Sequence, residues 1–152
     1  YAITGFAVDT PQAQIDAALA SALERGVRLI QVRGRDWPAE HFARHAAHIV
    51  ARGHAGGARV LINGDVELAR RCGADGVHLT AAQLKVVSER PALPLVAASC
   101  HDPAELKLAT QLGADFAVLG PVLPTPTHPD AELLGWPRFA ALAAGSRMPV
   151  FA

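Results

Sequence analysis

The feature that most restricts the fold of this chain is a strict alternation of short apolar runs with helical patterns from one end to the other. Seven runs, residues 1–4, 27–33, 59–63, 76–79, 95–99, 116–119 and 149–152, have the length and composition of strands. Between the first two, Ile15, Leu19, Ala22 and Leu23 recur at helical spacing, and between the second and third Phe42, Ala46, Ile49 and Val50 do the same. A strand that is always followed by a helix needs parallel neighbours, because a tight hairpin cannot join strands that run the same way. The segments 72–79 and 112–119 share the theme Gly-Ala-Asp followed by a strand, an offset of two strand–helix units. Near-equivalent units build a barrel, whereas an open sheet must reverse its winding. The expected fold is therefore α/β, a TIM (β/α)8 barrel present as an incomplete barrel of about seven strands. A closed barrel of this class usually needs about 200 to 250 residues. Residues 1–152 accordingly read as a single barrel domain truncated at both ends of a longer chain.

Composition narrows the partners. Apolar residues make up 51% and charged ones 18%, with 14 basic and 14 acidic side chains and no run of one sign, so neither a nucleic acid nor an anionic membrane surface is expected. Cys72 and Cys100 form no CxxC, which fits a reducing cytoplasm better than a disulfide framework. No stretch approaches the roughly 18 to 20 apolar residues of a membrane span. The partner indicated is a phosphorylated small molecule.

Barrels of this class meet ligands at the C-terminal ends of their strands. On the second strand Gln31, Arg33 and Arg35 alternate with Ile30 and Val32, so the polar set is expected on the side away from the covering helices. Guanidinium groups placed there are costly to desolvate unless an anion answers them. Asn63 ends the third strand and Ser99 the fifth, and each can donate a hydrogen bond to a phosphate oxygen. After the sixth strand a proline-rich loop carries Thr125, Thr127 and His128. Three other features invite chemistry without being expected to perform it. His41, His45 and His48 share the outer helix after the second strand, Cys100 and His101 point apart on an extended chain, and Asp75 and Asp115 stand where a helix gives way to a strand.

The runs Ile30-Gln-Val-Arg-Gly-Arg35, Leu61-Ile-Asn-Gly-Asp65, Gly73-Ala-Asp-Gly-Val-His-Leu79, Ala98-Ser-Cys-His101 and Leu119-Gly-Pro-Val-Leu-Pro-Thr-Pro-Thr127, in this order, resemble thiamine phosphate synthase and its relatives over the whole chain. The resemblance implies a barrel that joins an aminopyrimidine methyl diphosphate to a thiazole phosphate, with Mg2+ assisting departure of pyrophosphate. It implies that Arg33, Arg35 and Asn63 bind the diphosphate in company with Gln31, and that Ser99, Thr125 and Thr127 contact substrate phosphates. His128 stands where the synthases commonly place a lysine. The family's two magnesium aspartates correspond to Gly64 and Gln83, and Asp65 is expected to point elsewhere. In the related thiazole tautomerase the active histidine corresponds to Pro121. The Ser-Cys-His and Leu134-Gly-Trp136 pattern also resembles domains joined to the C-terminal side of Nudix hydrolases in bacteria, which would make such a hydrolase a covalent partner. A homo-oligomer is equally compatible with the sequence. The readings left open are a synthase with altered metal dependence, a phosphate-binding or regulatory module without the chemistry, a tautomerase-like isomerase, and a structural appendage of a hydrolase.

Overall fold

The computed structural model describes residues 1–34, 37–124 and 132–152. They form two compact units, Tyr1–Val77 and His78–Ala152. In the first unit β1 (Ala2–Ile3), β2 (Leu29–Val32) and β3 (Arg59–Asn63) pair in parallel and in chain order, with α1 (Gln12–Glu24), α2 (Ala39–Ala55) and α3 (Val66–Arg71) following them in turn. Then β4 (Gly76–Leu79) begins. In the second unit β5 (Leu95–Cys100), β6 (Phe116–Leu119) and β7 (Val150–Phe151) are again parallel and in order, with α4 (Ala81–Leu84), α5 (Pro103–Leu112) and α6 (Gly135–Ala144) between strands. The expected alternation of strand and helix is present throughout. Among the described residues no helix is long and apolar enough to cross a membrane.

The first unit has a helix side and an opposite side, and register assigns residues to each. A β-carbon added at Gly53 of α2 would lie 2.6 Å from Val60 Cγ2 and 3.9 Å from Ile30 Cδ1, so α2 rests directly on Ile30 and Val60. Gln31 pairs with Leu61 in the ladder, and alternation puts both, with Asn63, on the opposite side. The second strand is shorter at its start than the apolar run suggests. Val27 and Arg28 are taken by the end of α1: Val27 N donates to Ala22 O at 3.0 Å, and the Arg28 guanidinium donates to Leu23 O at 2.8 Å.

The repeated Gly-Ala-Asp segments are one device used twice. Gly73 and Gly113 adopt φ values of 68° and 78°, and the amide that follows each turns back on its helix, Ala74 N to Ala69 O at 2.9 Å and Ala114 N to Ala109 O at 3.0 Å. The aspartate then clamps the previous strand. Asp75 N donates to Val60 O at 2.9 Å while its carboxylate accepts from Val60 N at 2.7 Å. Asp115 does the same to Val96, at 2.7 Å in both directions. A basic side chain backs each carboxylate, His54 at 2.8 Å behind Asp75 and Arg90 at 2.9 Å behind Asp115. The clamps stand at the N-terminal ends of the strands, the end expected to serve stability.

Val60 and Val96 are fully buried, so losing the carboxylate leaves a buried amide without its acceptor. Asp75→Ala and Asp115→Ala should each lower the free energy of unfolding by about 1–3 kcal/mol in urea titrations. Asp115→Asn, which keeps an acceptor oxygen, should lose less. Wild-type stability in both alanine variants would show that the clamps carry nothing.

Candidate functional site

At the C-terminal end of β2 and β3 a polar chain crosses the side of the sheet opposite α2. Gln31 is 2% exposed, and both ends of its amide are engaged. The Tyr1 hydroxyl donates to Gln31 Oε1 at 2.8 Å, and Gln31 Nε2 donates to Asn63 Oδ1 at 2.6 Å. A buried amide without partners would cost several kcal/mol, so these bonds lock three side chains, one just before β1 and one each on β2 and β3, into one arrangement. Desolvation raises the pKa of the Tyr1 phenol, which keeps it a donor. Because Asn63 Oδ1 accepts from Gln31, the other end of the Asn63 amide is its Nδ2 amino group, a donor. Asn63 itself is half-buried.

Arg33 is two residues beyond Gln31, and alternation directs it to the same side. Its backbone amide donates to Thr4 Oγ1 at 3.0 Å, and Thr4 N donates to Gln31 O at 2.9 Å, so the end of β1 holds the backbone that bears the guanidinium. Gly34 then admits Phe42, whose ring would lie 2.6 Å from any β-carbon there. Gln31, Arg33 and Asn63 are thus held at adjoining strand ends of one unit. Arg35 lies outside the described residues.

In the second unit Ser99, half-buried near the end of β5, is bonded to His78 of β4, with Nε2 and Oγ 2.8 Å apart. His78 is 2% exposed, and its ring meets the edge of Phe116 at 6.4 Å, which in turn meets Phe151 at 5.6 Å. Sequence reasoning passed over His78. The signal available was a lone polar side chain in the otherwise apolar strand Gly76-Val-His-Leu79, which must find a partner if the strand is buried. The base of the segment after β6 is fastened by Leu134 N to Pro121 O at 3.0 Å and Gly135 N to Val122 O at 3.1 Å. Thr125, Thr127 and His128 lie outside the described residues.

Cys100 and His101 do point apart. Burial, reinforced by the carboxylates of Glu105 and Asp102, pushes the Cys100 thiol up to about 12, leaving almost no thiolate at neutral pH. His101 turns to Glu105, which accepts from His101 N at 2.7 Å and lies 3.0 Å from its Nδ1. Lys85 completes the cluster at 2.7 Å from the other carboxylate oxygen. Burial alone would raise the Glu105 pKa, but the hydrogen bonds from Lys85 and His101 outweigh it and hold the group below its usual value. On α2, His48 pairs with Asp16 at 2.6 Å, while His45 packs 4.5 Å from Trp37 and 5.9 Å from Phe6, and burial lowers its pKa.

The residues at the two magnesium positions do not fit the ion. Gly64 has no side chain and adopts φ 72°. Gln83 is committed to a capping box on α4, its Oε1 accepting from Thr80 N at 3.0 Å. Asp65 caps α3, accepting from Leu68 N at 2.8 Å, as expected from its position. Among the described residues no three His, Cys, Asp or Glu side chains gather as a metal site would require.

A parallel fold in which every strand is followed by a helix defines a protein of the TIM-type α/β barrel class. The chain belongs to the family described as thiamine monophosphate synthase, whose model matches residues 1–152. It is 37% identical over 148 residues to a thiamine-phosphate synthase of Chromobacterium violaceum, covering 95% of this chain and 70% of that protein. A thiamine-phosphate synthase of Thioalkalivibrio sulfidiphilus is 33% identical over 158 residues, covering all of this chain and 74% of its own length. The chloroplastic thiamine biosynthetic bifunctional enzyme of Arabidopsis thaliana is 30% identical over 138 residues, which are 89% of this chain but only 26% of the plant protein. In structure the chain resembles thiamine phosphate pyrophosphorylase from Pyrococcus furiosus, with a TM-score of 0.79 at 24% identity over 99% of this chain and 71% of that one. The fold is accordingly that of an incomplete TIM-type barrel with seven strands, as the alternation of the sequence implied.

The Tyr1–Gln31–Asn63 chain makes a prediction of its own. Gln31→Leu leaves the Tyr1 hydroxyl and Asn63 Oδ1 without their partner and should cost about 1–3 kcal/mol in chemical denaturation. Unchanged stability would mean that water satisfies both groups and that Gln31 orders nothing.

Proposed function

We propose that the chain binds phosphorylated pyrimidine and thiazole precursors and couples them with loss of pyrophosphate, as a thiamine phosphate synthase. The observation that carries the reading is the bond from buried Gln31 to Asn63 Oδ1, which occupies the carbonyl end of Asn63 and leaves its amino group as the donor end, at a strand end adjoining that of Arg33. In this account Arg33 and Asn63 hold the diphosphate, Arg33 supplying charge and Asn63 a directed donor, while Ser99 donates to a phosphate oxygen. Arg35, Thr125, Thr127 and His128 are assigned to phosphate contact by resemblance. The chemistry is displacement at the pyrimidine methyl carbon: the thiazole nitrogen forms the new C–N bond as the C–O bond to pyrophosphate breaks. Positive charge from Arg33 stabilises the leaving group as its negative charge grows.

Gly64 and Gln83 favour a second reading, in which the phosphate site is kept and the coupling lost. Incubation with both precursors, with and without magnesium, separates the two. The first reading expects thiamine phosphate, and no product at high protein concentration with heat of binding retained would leave the second. Arg33→Ala should weaken inorganic pyrophosphate binding about 10- to 100-fold by calorimetry, the worth of one charge-assisted hydrogen bond. An unaltered affinity would contradict both readings.

A further inference from the structure

We propose that His78 is a positioning residue that keeps a proton on Nε2, donates it to Ser99 Oγ, and thereby turns the Ser99 hydroxyl proton toward a ligand oxyanion. The inference rests on the reading of Ser99 as a phosphate contact and goes beyond it, because it decides what Ser99 can recognise.

A serine hydroxyl carries one proton and two lone pairs. At 2.8 Å from His78 Nε2, Ser99 Oγ must either give that proton to the ring or take one from it. If the imidazole accepts, the ligand meets only oxygen lone pairs, which repel phosphate and suit an amine. If the imidazole donates, the hydroxyl proton is left for the ligand and an anion is favoured. The ring cannot swing to another arrangement, since it is 2% exposed and braced by Phe116. The tautomer of one buried histidine thus sets the donor or acceptor character of a serine on the next strand. The same logic operates in the first unit, where Gln31 determines which end Asn63 presents.

The tautomer is directly readable in a long-range 1H–15N spectrum of the wild-type protein labelled on its 7 histidines, with His78→Gln used to assign the signal. A proton on Nε2 is expected, and a neutral ring protonated on Nδ1 overturns the proposal whether or not any variant folds. Calorimetry with inorganic pyrophosphate gives the second arm. Ser99→Ala should weaken binding about tenfold, His78→Leu by a similar factor, and the double variant no further than either. His78→Gln, whose amide can donate from nearly the same place, should restore affinity to within about threefold of wild type, and His78→Glu, which only accepts when ionised, should not. Full affinity in Ser99→Ala would remove the phosphate reading of Ser99 itself. Weakened binding in Ser99→Ala with full affinity in His78→Leu would remove only the role given to His78.

Discussion

The arrangement depends most on a single buried amide. Gln31 is almost wholly shielded from water, and its side-chain amide is bonded to Tyr1, just before β1, and to Asn63, at the end of β3. Satisfying it ties the residue ahead of β1 to the ends of β2 and β3 and occupies the carbonyl end of Asn63. In the proposed function Gln31 supports the ligand contacts of its neighbour, a role distinct from touching the ligand. The His78–Ser99 bond in the second unit repeats the arrangement with different residue types. In both units a buried polar side chain on one strand is bonded to a half-buried polar side chain at or near the end of the next.

The opposite strand ends are governed by carboxylates aimed at backbone. Asp75 and Asp115 each close a two-way clamp on a buried valine, and the basic side chains behind them are partly open to solvent. The backbone clamps stand at one end of the strands, and the residues proposed for recognition stand at the other. This division lets the C-terminal ends carry groups such as Arg33 that would be unfavourable in a sealed core.

Much of this was legible in the residues. The period-two pattern of Gln31 against Ile30 and Val32 gave the correct side for Gln31, because helices cover only one side and pleating does the rest. The same reasoning separated Cys100 from His101 and set Asp75 and Asp115 apart as structural. What remained hidden depends on contacts between distant positions. Nothing local marks Val27 and Arg28 as the stop of α1 instead of the start of β2, nor shows that Gln31 would spend both amide ends on Tyr1 and Asn63. His45 shares the outer helix with His41 and His48, yet packing against Trp37 makes it a buried ring, a contact from outside the helix that a helical wheel cannot show. His78 was missed because a histidine in a strand gives no sign of its partner until the neighbouring strand is in register.

The most direct test of the central claim follows the side-chain amides of Asn63 and Gln31 by NMR during titration with inorganic pyrophosphate. Large shifts of the Asn63 amino protons, with Gln31 nearly still and its protons protected from exchange, are the predicted result. Movement and rapid exchange of the Gln31 amide with Asn63 unmoved would contradict it, and would place the glutamine, in place of the asparagine, against the ligand.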